Sequence, residues 1–110
     1  MKTSYFAVYE GGGNGVSIAC SAPKSFNGKT YDDLVPSWSL VNKYKKGVID
    51  KKTYVNIYKL QVLNKLNPKK VYKDLKDKIL LCWEGPGNFC HRIIVAKWIE
   101  EELEIKVPEL

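Results

Sequence analysis

The sequence is poor in several things: among 110 residues there is one histidine, one arginine, one methionine, and no apolar run longer than a few residues. Spanning a bilayer takes roughly 20 consecutive apolar residues, so a transmembrane helix is excluded and no membrane partner is expected. The start, Met1 to Phe6, lacks the charged and apolar regions and the cleavage site of a signal peptide, which predicts a cytoplasmic protein. Neither an internal repeat nor a low-complexity tract is present. Cysteine is scarce and odd in number, three in all, and a chain of this size needs no staple; reduced thiols are therefore expected rather than a disulfide frame.

What is abundant is lysine, and it is unevenly placed. The net charge is +6, yet residues 43–78 alone hold twelve lysines against three aspartates, while residues 79–110 are acidic on balance. Such a stretch can meet phosphates. All twelve are lysine, so the planar arginine fork used for base and phosphate recognition is missing there, and a solvated helical face is the plainer reading. The hydrophobic share of 45% suits one folded domain over 1–110 and argues against disorder.

Alternating apolar residues predict a first strand over Ser4 to Tyr9 and a second over Val16 to Cys20. Gly11 to Gly15 between them reads as a turn: it has neither the dinucleotide fingerprint nor the ending of a phosphate-binding loop. Lys24 to Pro36 reads as a loop. Ser37 caps a helix to about Lys46 with Trp38, Val41 and Tyr44 inward, and Gly47 stops it. Asp50 caps a second helix to about Leu66, carrying Tyr54 and Tyr58 inward, and Pro68 opens a third. Ile79 to Glu84 is the clearest strand. A last helix runs from Phe89 to about Glu102 with Phe89, Ile93, Ala96, Ile99 and Leu103 inward, and residues 104–107 are expected to add an edge strand stopped by Pro108. This order predicts an α/β fold, a small Rossmann-like sandwich with a mostly parallel sheet flanked by helices.

Chemistry concentrates between Leu80 and Arg92, which gather two of the three cysteines, the histidine and the arginine. Strand parity puts Cys82 and Glu84 on one face and Trp83 on the other. Gly85-Pro86-Gly87 allows a sharp turn, and Asn88 is the expected cap of the next helix. Cys90, His91 and Arg92 then occupy a first turn, where unpaired amides and a guanidinium favour an anion. Three readings compete: Cys90 or Cys82 as nucleophile with Glu84 or His91 moving protons; zinc held by Cys82, Cys90 and His91; or packing, with Glu84 paired to Arg92. The spacing of the second matches no standard zinc site, and adjacent residues on a helix diverge by about 100°, so no metal is expected. Five such residues in one turn favour a functional pocket over packing.

The pattern Cys82-x-Glu84 followed by Cys90-His91-Arg92 resembles the signature of the domain-of-unknown-function 488 family. The resemblance extends through Val16 to Ile18, Pro23, Phe26, Leu34 to Trp38, Tyr44 to Gly47, Tyr54 and Tyr58, essentially the whole chain. It implies a small intracellular Rossmann-like domain whose signature residues are Cys82, Glu84, Cys90, His91 and Arg92, and it supplies no reaction. Many members carry a basic residue after the second strand, where this chain has Cys20, which implies a different ligand or a looser hold on it.

The expectation is an uncharacterised α/β protein that binds an anionic, phosphate-bearing ligand such as a nucleotide or nucleic-acid component. Cys82, Glu84, Cys90 and His91 are the candidate catalytic residues; Asn88, Arg92 and Cys20 are the candidate ligand contacts; no cofactor is expected. A nucleic acid is a further expected partner through residues 43–78. The alternative is a non-catalytic nucleic-acid or protein-binding module in which the turn is structural.

Overall fold

The structure, a computed structural model, describes residues 1–9, 11–84 and 89–110. Four strands form one sheet in the order β1-β4-β2-β3: β1 is Lys2–Tyr5, β2 Gly15–Ser17, β3 Lys29–Thr30 and β4 Ile79–Cys82. Every pairing is parallel, with Thr3 and Val16 both opposite Leu80. Parallel neighbours need long crossovers, and β3 reaches β4 through three helices: α1 (Trp38–Lys45), α2 (Lys51–Gln61) and α3 (Pro68–Leu75). The last helix, α4 (His91–Leu103), leaves β4 and packs back on β1, β4 and α3. No helix among the described residues is long and apolar enough to cross a membrane.

The caps expected at Ser37 and Asp50 form, and Asn67 adds a third ahead of Pro68. Ser37 Oγ accepts from the Leu40 amide at 3.1 Å, Asp50 Oδ1 from Thr53 at 2.8 Å and Asn67 Oδ1 from Lys69 at 2.9 Å. Each satisfies a donor that the first helical turn leaves without a partner. After α1, Gly47 turns the chain with φ of 73°, and a side chain there would meet no atom within 4 Å. Backbone strain is then the whole cost of a substitution. Gly47→Ala is expected to destabilise the protein by about 1–2 kcal/mol, read from urea unfolding; an unchanged midpoint would show that the left-handed turn is dispensable.

Several elements differ from the sequence expectation. The second strand covers Gly15–Ser17 and stops short of Cys20, and the stretch read as a loop, Lys24 to Pro36, holds the edge strand β3 and a 3-10 turn, Asp32–Leu34. The first strand covers Lys2–Tyr5 rather than 4–9, because β4 offers it partners only from Ile79 to Cys82; a single 3-10 turn, Phe6–Val8, follows. The second helix ends at Gln61 instead of near Leu66, and the 3-10 turn Leu63–Lys65 tucks Val62 and Leu63 into the core. The edge strand expected over 104–107 is absent. The chain instead meets β1 past Pro108, where Thr3 donates to the Pro108 carbonyl, Leu110 donates to the Thr3 carbonyl and Glu109 bridges Thr3. In α4 the cap is Cys90, and the buried face carries His91, Arg92, Ile94, Val95, Ala96 and Ile99, with Ile93 45% exposed. Trp38, expected inside, is 62% exposed.

The sheet face bearing Val16 and Leu80 joins the main core with Ile18, Leu34, Tyr58, Val71, Val95 and Ile99. On the other face Leu81 and Gly15 lie beneath the Tyr9 ring, whose hydroxyl accepts from the Gly15 amide at 2.8 Å. A second, smaller apolar cluster sits at the carboxyl end of the strands: Ala19, Cys82 and Cys90, with Phe6 against them.

Candidate functional site

The carboxyl ends of β2 and β4 and the start of α4 converge on a cavity of about 690 Å³. Crevices outside strand carboxyl ends are where open α/β sheets bind ligands. Cys20, Cys82, Glu84, Cys90 and His91 all line it. Its opposite wall is the α1–α2 hairpin, which contributes Trp38, Tyr44, Lys45, Lys51 and Tyr54; Trp83 and Phe89 complete an aromatic lining. Phe89 stands edge-on to both Tyr44 and Tyr54, with ring centroids 5.5 and 5.4 Å apart, and Lys51 Nζ lies 5.1 Å from its centroid. Trp83 is held at the mouth by its indole N–H, which donates to the Ser21 carbonyl at 2.6 Å, and by an edge contact with Phe6.

At the floor, Cys82 and Cys90 are joined as a disulfide, their Cα atoms 7.0 Å apart, which corrects the expectation of three reduced thiols. The physical reason is placement: the end of β4 and the cap of α4 face each other across the small apolar cluster. Cys90 has extended backbone, φ −143° and ψ 152°, so it stands outside the helix. The argument that Cys90 and His91 diverge as helix neighbours therefore fails, and Cys90 Sγ lies 3.6 Å from His91 Nδ1.

His91 is 5% exposed, and its Nε2 contacts the Ile18 carbonyl. A carbonyl only accepts, so Nε2 carries the hydrogen and Nδ1 keeps its lone pair toward Cys90. Burial lowers the imidazole pKa to about 4; the Ile18 hydrogen bond works against this shift and the Arg92 charge works with it. The ring is thus a neutral base at ordinary pH. Tyr54, whose phenol pKa burial pushes up, stays protonated in the same cavity.

Arg92 occupies a different place from the one its motif suggests. It is 1% exposed and does not line the cavity. Its guanidinium turns behind the floor: Nε and Nη2 donate to the Glu109 carboxylate, with Nη2 at 2.8 Å, while Nη1 donates to Cys82 Sγ at 3.0 Å and to the Glu84 carbonyl. The fork expected to hold an anion is engaged by the protein itself. Its acidic partner is Glu109, where the sequence reading weighed Glu84, and Glu84 contributes only its carbonyl.

Cys20 lines the cavity and is exposed as a residue, its sulfur donating to the Pro36 carbonyl at 3.0 Å. Loss of water around the sulfur raises the thiol pKa, Lys45 pulling the other way, so Cys20 sits in the pocket as a neutral thiol. The proposed cap Asn88 and the turn Gly85-Pro86-Gly87 lie outside the described residues. Of the twelve lysines in 43–78, eleven are exposed and Lys78 is half-buried, and two of them, Lys45 and Lys51, reach the cavity.

Sequence reasoning missed Trp38, Trp83, Lys45, Lys51, Phe89 and Glu109 as parts of this region. Trp38 left a signal, directly after a helix cap; Trp83 left none, because strand parity assigned it to the face opposite Cys82 and β4 ends before it. Glu109 left none, because no periodicity links a residue beyond Pro108 to Arg92.

No curated protein and no solved structure matches the chain. A family model does: DUF488-N3a, described as the active DUF488-N3 subclade, matches residues 12–103, a span that holds Cys20, Cys82, Glu84, Cys90, His91 and Arg92. The match covers more than four-fifths of the sequence. The chain therefore belongs to the DUF488-N3a family, the active DUF488-N3 subclade.

Proposed function

We propose that this protein binds a flat, anionic ligand, a nucleotide or a component of one, and presents it to the sulfur and imidazole groups at the pocket floor. The observation that carries this reading is the pairing of an aromatic wall with that floor in a single cavity of about 690 Å³, within the usual volume of a small-molecule site. Trp38 and Trp83, largely exposed, offer faces on which a base can stack. Lys45 and Lys51 supply positive charge, and the starts of α2 and α4 both open on the cavity, adding the partial positive charge of helix amino ends. Of the two acidic residues lining it, Asp50 has its carboxylate engaged in capping α2, which leaves Glu84 as the carboxylate for proton transfer. In the reduced protein the Cys90 thiol would have the lone pair of His91 Nδ1 as its nearest proton acceptor, a nucleophile and base pair of ordinary type.

Titrating reduced protein with nucleoside monophosphates, nucleosides and short oligonucleotides while following tryptophan fluorescence tests this. Monophosphates are expected to quench, Trp38→Ala to weaken binding by roughly 1–3 kcal/mol, and Lys51→Glu to weaken monophosphates but not nucleosides. Binding of oligonucleotides alone, indifferent to Trp38 and lost with the lysines of 43–78, would replace this reading with the binding-module alternative.

A further inference from the structure

One ligand atom from each of Cys82, Cys90 and His91 lies within 4.8 Å of the others, and all three residues are buried. We propose that, with the sulfur–sulfur bond open, these three residues bind one thiophilic divalent cation of the zinc class, its fourth position open to the pocket. The inference rests on the pocket being the ligand site, and it replaces a nucleophilic floor with a Lewis-acidic one.

Spacing supports it. A tetrahedral ion that holds sulfur at about 2.3 Å and nitrogen at about 2.0–2.1 Å sets the two donors about 3.5 Å apart. Cys90 Sγ and His91 Nδ1 are already 3.6 Å apart. The Cα atoms of Cys82 and Cys90 stand 7.0 Å apart, just past the usual 4.4–6.8 Å for a disulfide, which leaves room for an ion between the two sulfurs once their bond is open. Three protein donors with one open position is the pattern of catalytic zinc sites, whereas structural sites are closed by four.

The surroundings are those that metal donors require. The Ile18 carbonyl takes the Nε2 hydrogen, which fixes the ring and leaves Nδ1 as the donor. Arg92 Nη1 donates to Cys82 Sγ at 3.0 Å and favours its thiolate. The charges also close: two thiolates neutralise a divalent ion, and Glu109 neutralises Arg92. Any arrangement that left a net charge in this apolar cluster would be penalised heavily. Loading begins with the disulfide taking two electrons and two protons from an external dithiol, which is itself oxidised to its disulfide. The ion then displaces the two thiol protons as it binds.

Cobalt(II) reports on such a site directly. Protein reduced with a dithiol and freed of it under argon is expected to bind one equivalent of cobalt, with a thiolate-to-metal charge-transfer band in the near ultraviolet and the visible bands of a tetrahedral ion. One equivalent of zinc should then bleach both. Cys82→Ser and Cys90→Ser should lose the charge-transfer intensity in part, and His91→Ala should weaken cobalt binding by at least about tenfold. Because buried variants sometimes fail to fold, the wild-type protein supplies a second readout: in mild urea, which opens the buried cluster, zinc should slow iodoacetamide labelling of Cys82 and Cys90 relative to zinc-free reduced protein while Cys20 labels equally in both. Labelling of Cys82 and Cys90 that zinc leaves unchanged, or a cobalt spectrum without charge transfer, would overturn the proposal. Neither measurement involves a nucleotide, so failure of the pocket to bind one leaves the metal result standing, and the reverse holds equally.

Discussion

Arg92→Ala is expected to lower the unfolding free energy by about 3–5 kcal/mol, the range for removing a large buried side chain together with the hydrogen bonds it makes. The size follows from what the guanidinium serves. It is buried at 1% exposure and satisfies the Glu109 carboxylate, the Glu84 carbonyl and the Cys82 sulfur at once, and it lies 5.7 Å from the centre of the Tyr5 ring. Removal orphans these acceptors and leaves a cavity behind. Glu109→Gln also costs stability: the Glu109 side chain is 38% exposed, but losing its charge leaves the 1% exposed guanidinium without a counter-charge, so a loss of about 2–4 kcal/mol is expected. Urea unfolding at pH 7 measures both; an Arg92→Ala protein within about 1 kcal/mol of wild type would refute the view that Arg92 acts as an internal brace.

The second expectation concerns acid. For metal-free protein, stability should fall by about 3 kcal/mol as pH drops from 7 toward 4, because the folded His91 holds its proton less readily than the unfolded one. With the folded pKa lowered from 6.5 to about 4, the unfolded chain binds the extra proton between those values. The contribution is complete above 6.5 and drains away as pH falls through 4. Among the described residues the groups that face the ring are Cys90, Tyr58, Arg92 and the Ile18 carbonyl, and none of them supplies a carboxylate to hold a charged imidazole. Glu109 follows in a lower window. Burial pushes its pKa up, but the hydrogen bonds from Arg92 and Thr3 and the Arg92 charge outweigh that and hold it below the ordinary value. Its contribution is present above the ordinary carboxylate range and disappears only as pH drops through the lowered value. Urea midpoints at pH 7, 5.5 and 4.5 should decline for the wild type and flatten for His91→Gln; a flat wild-type series would show that the imidazole is not buried as described.

Local rules carried much of the fold. Ser37, Asp50 and Asn67 cap where side-chain chemistry says they should, Gly47 stops α1, and the apolar run at Ile79 becomes the central strand. The segment that carries the site was legible, since Cys82, Glu84, Cys90 and His91 line one cavity, but strand parity was not: β4 stops at Cys82, and Trp83, assigned to the opposite face, lines the same cavity. What failed depended on tertiary context. Asparagine is the better cap by propensity, yet the cap of α4 is Cys90, where extended backbone holds the sulfur near Cys82. An inward stripe on a helix can be drawn through Ile93 or through Ile94 with almost equal periodicity; packing against β1 and β4 chose the latter, and with it buried Arg92. An arginine in a first turn reads as an anion fork until an acid from another segment claims it.

The cavity's two sides come from separate stretches of chain. The α1–α2 wall is one continuous hairpin, Trp38 to Tyr54, whereas the floor is assembled from the ends of β2 and β4 and the start of α4. Under the proposed function, what the pocket accepts and what its floor does are thus set largely by different stretches of sequence. Exchanging Trp38, Lys45 and Lys51 on the hairpin would then alter ligand preference, provided Tyr58 of α2 stays, because its ring packs 5.6 Å from that of His91 and holds the floor in place.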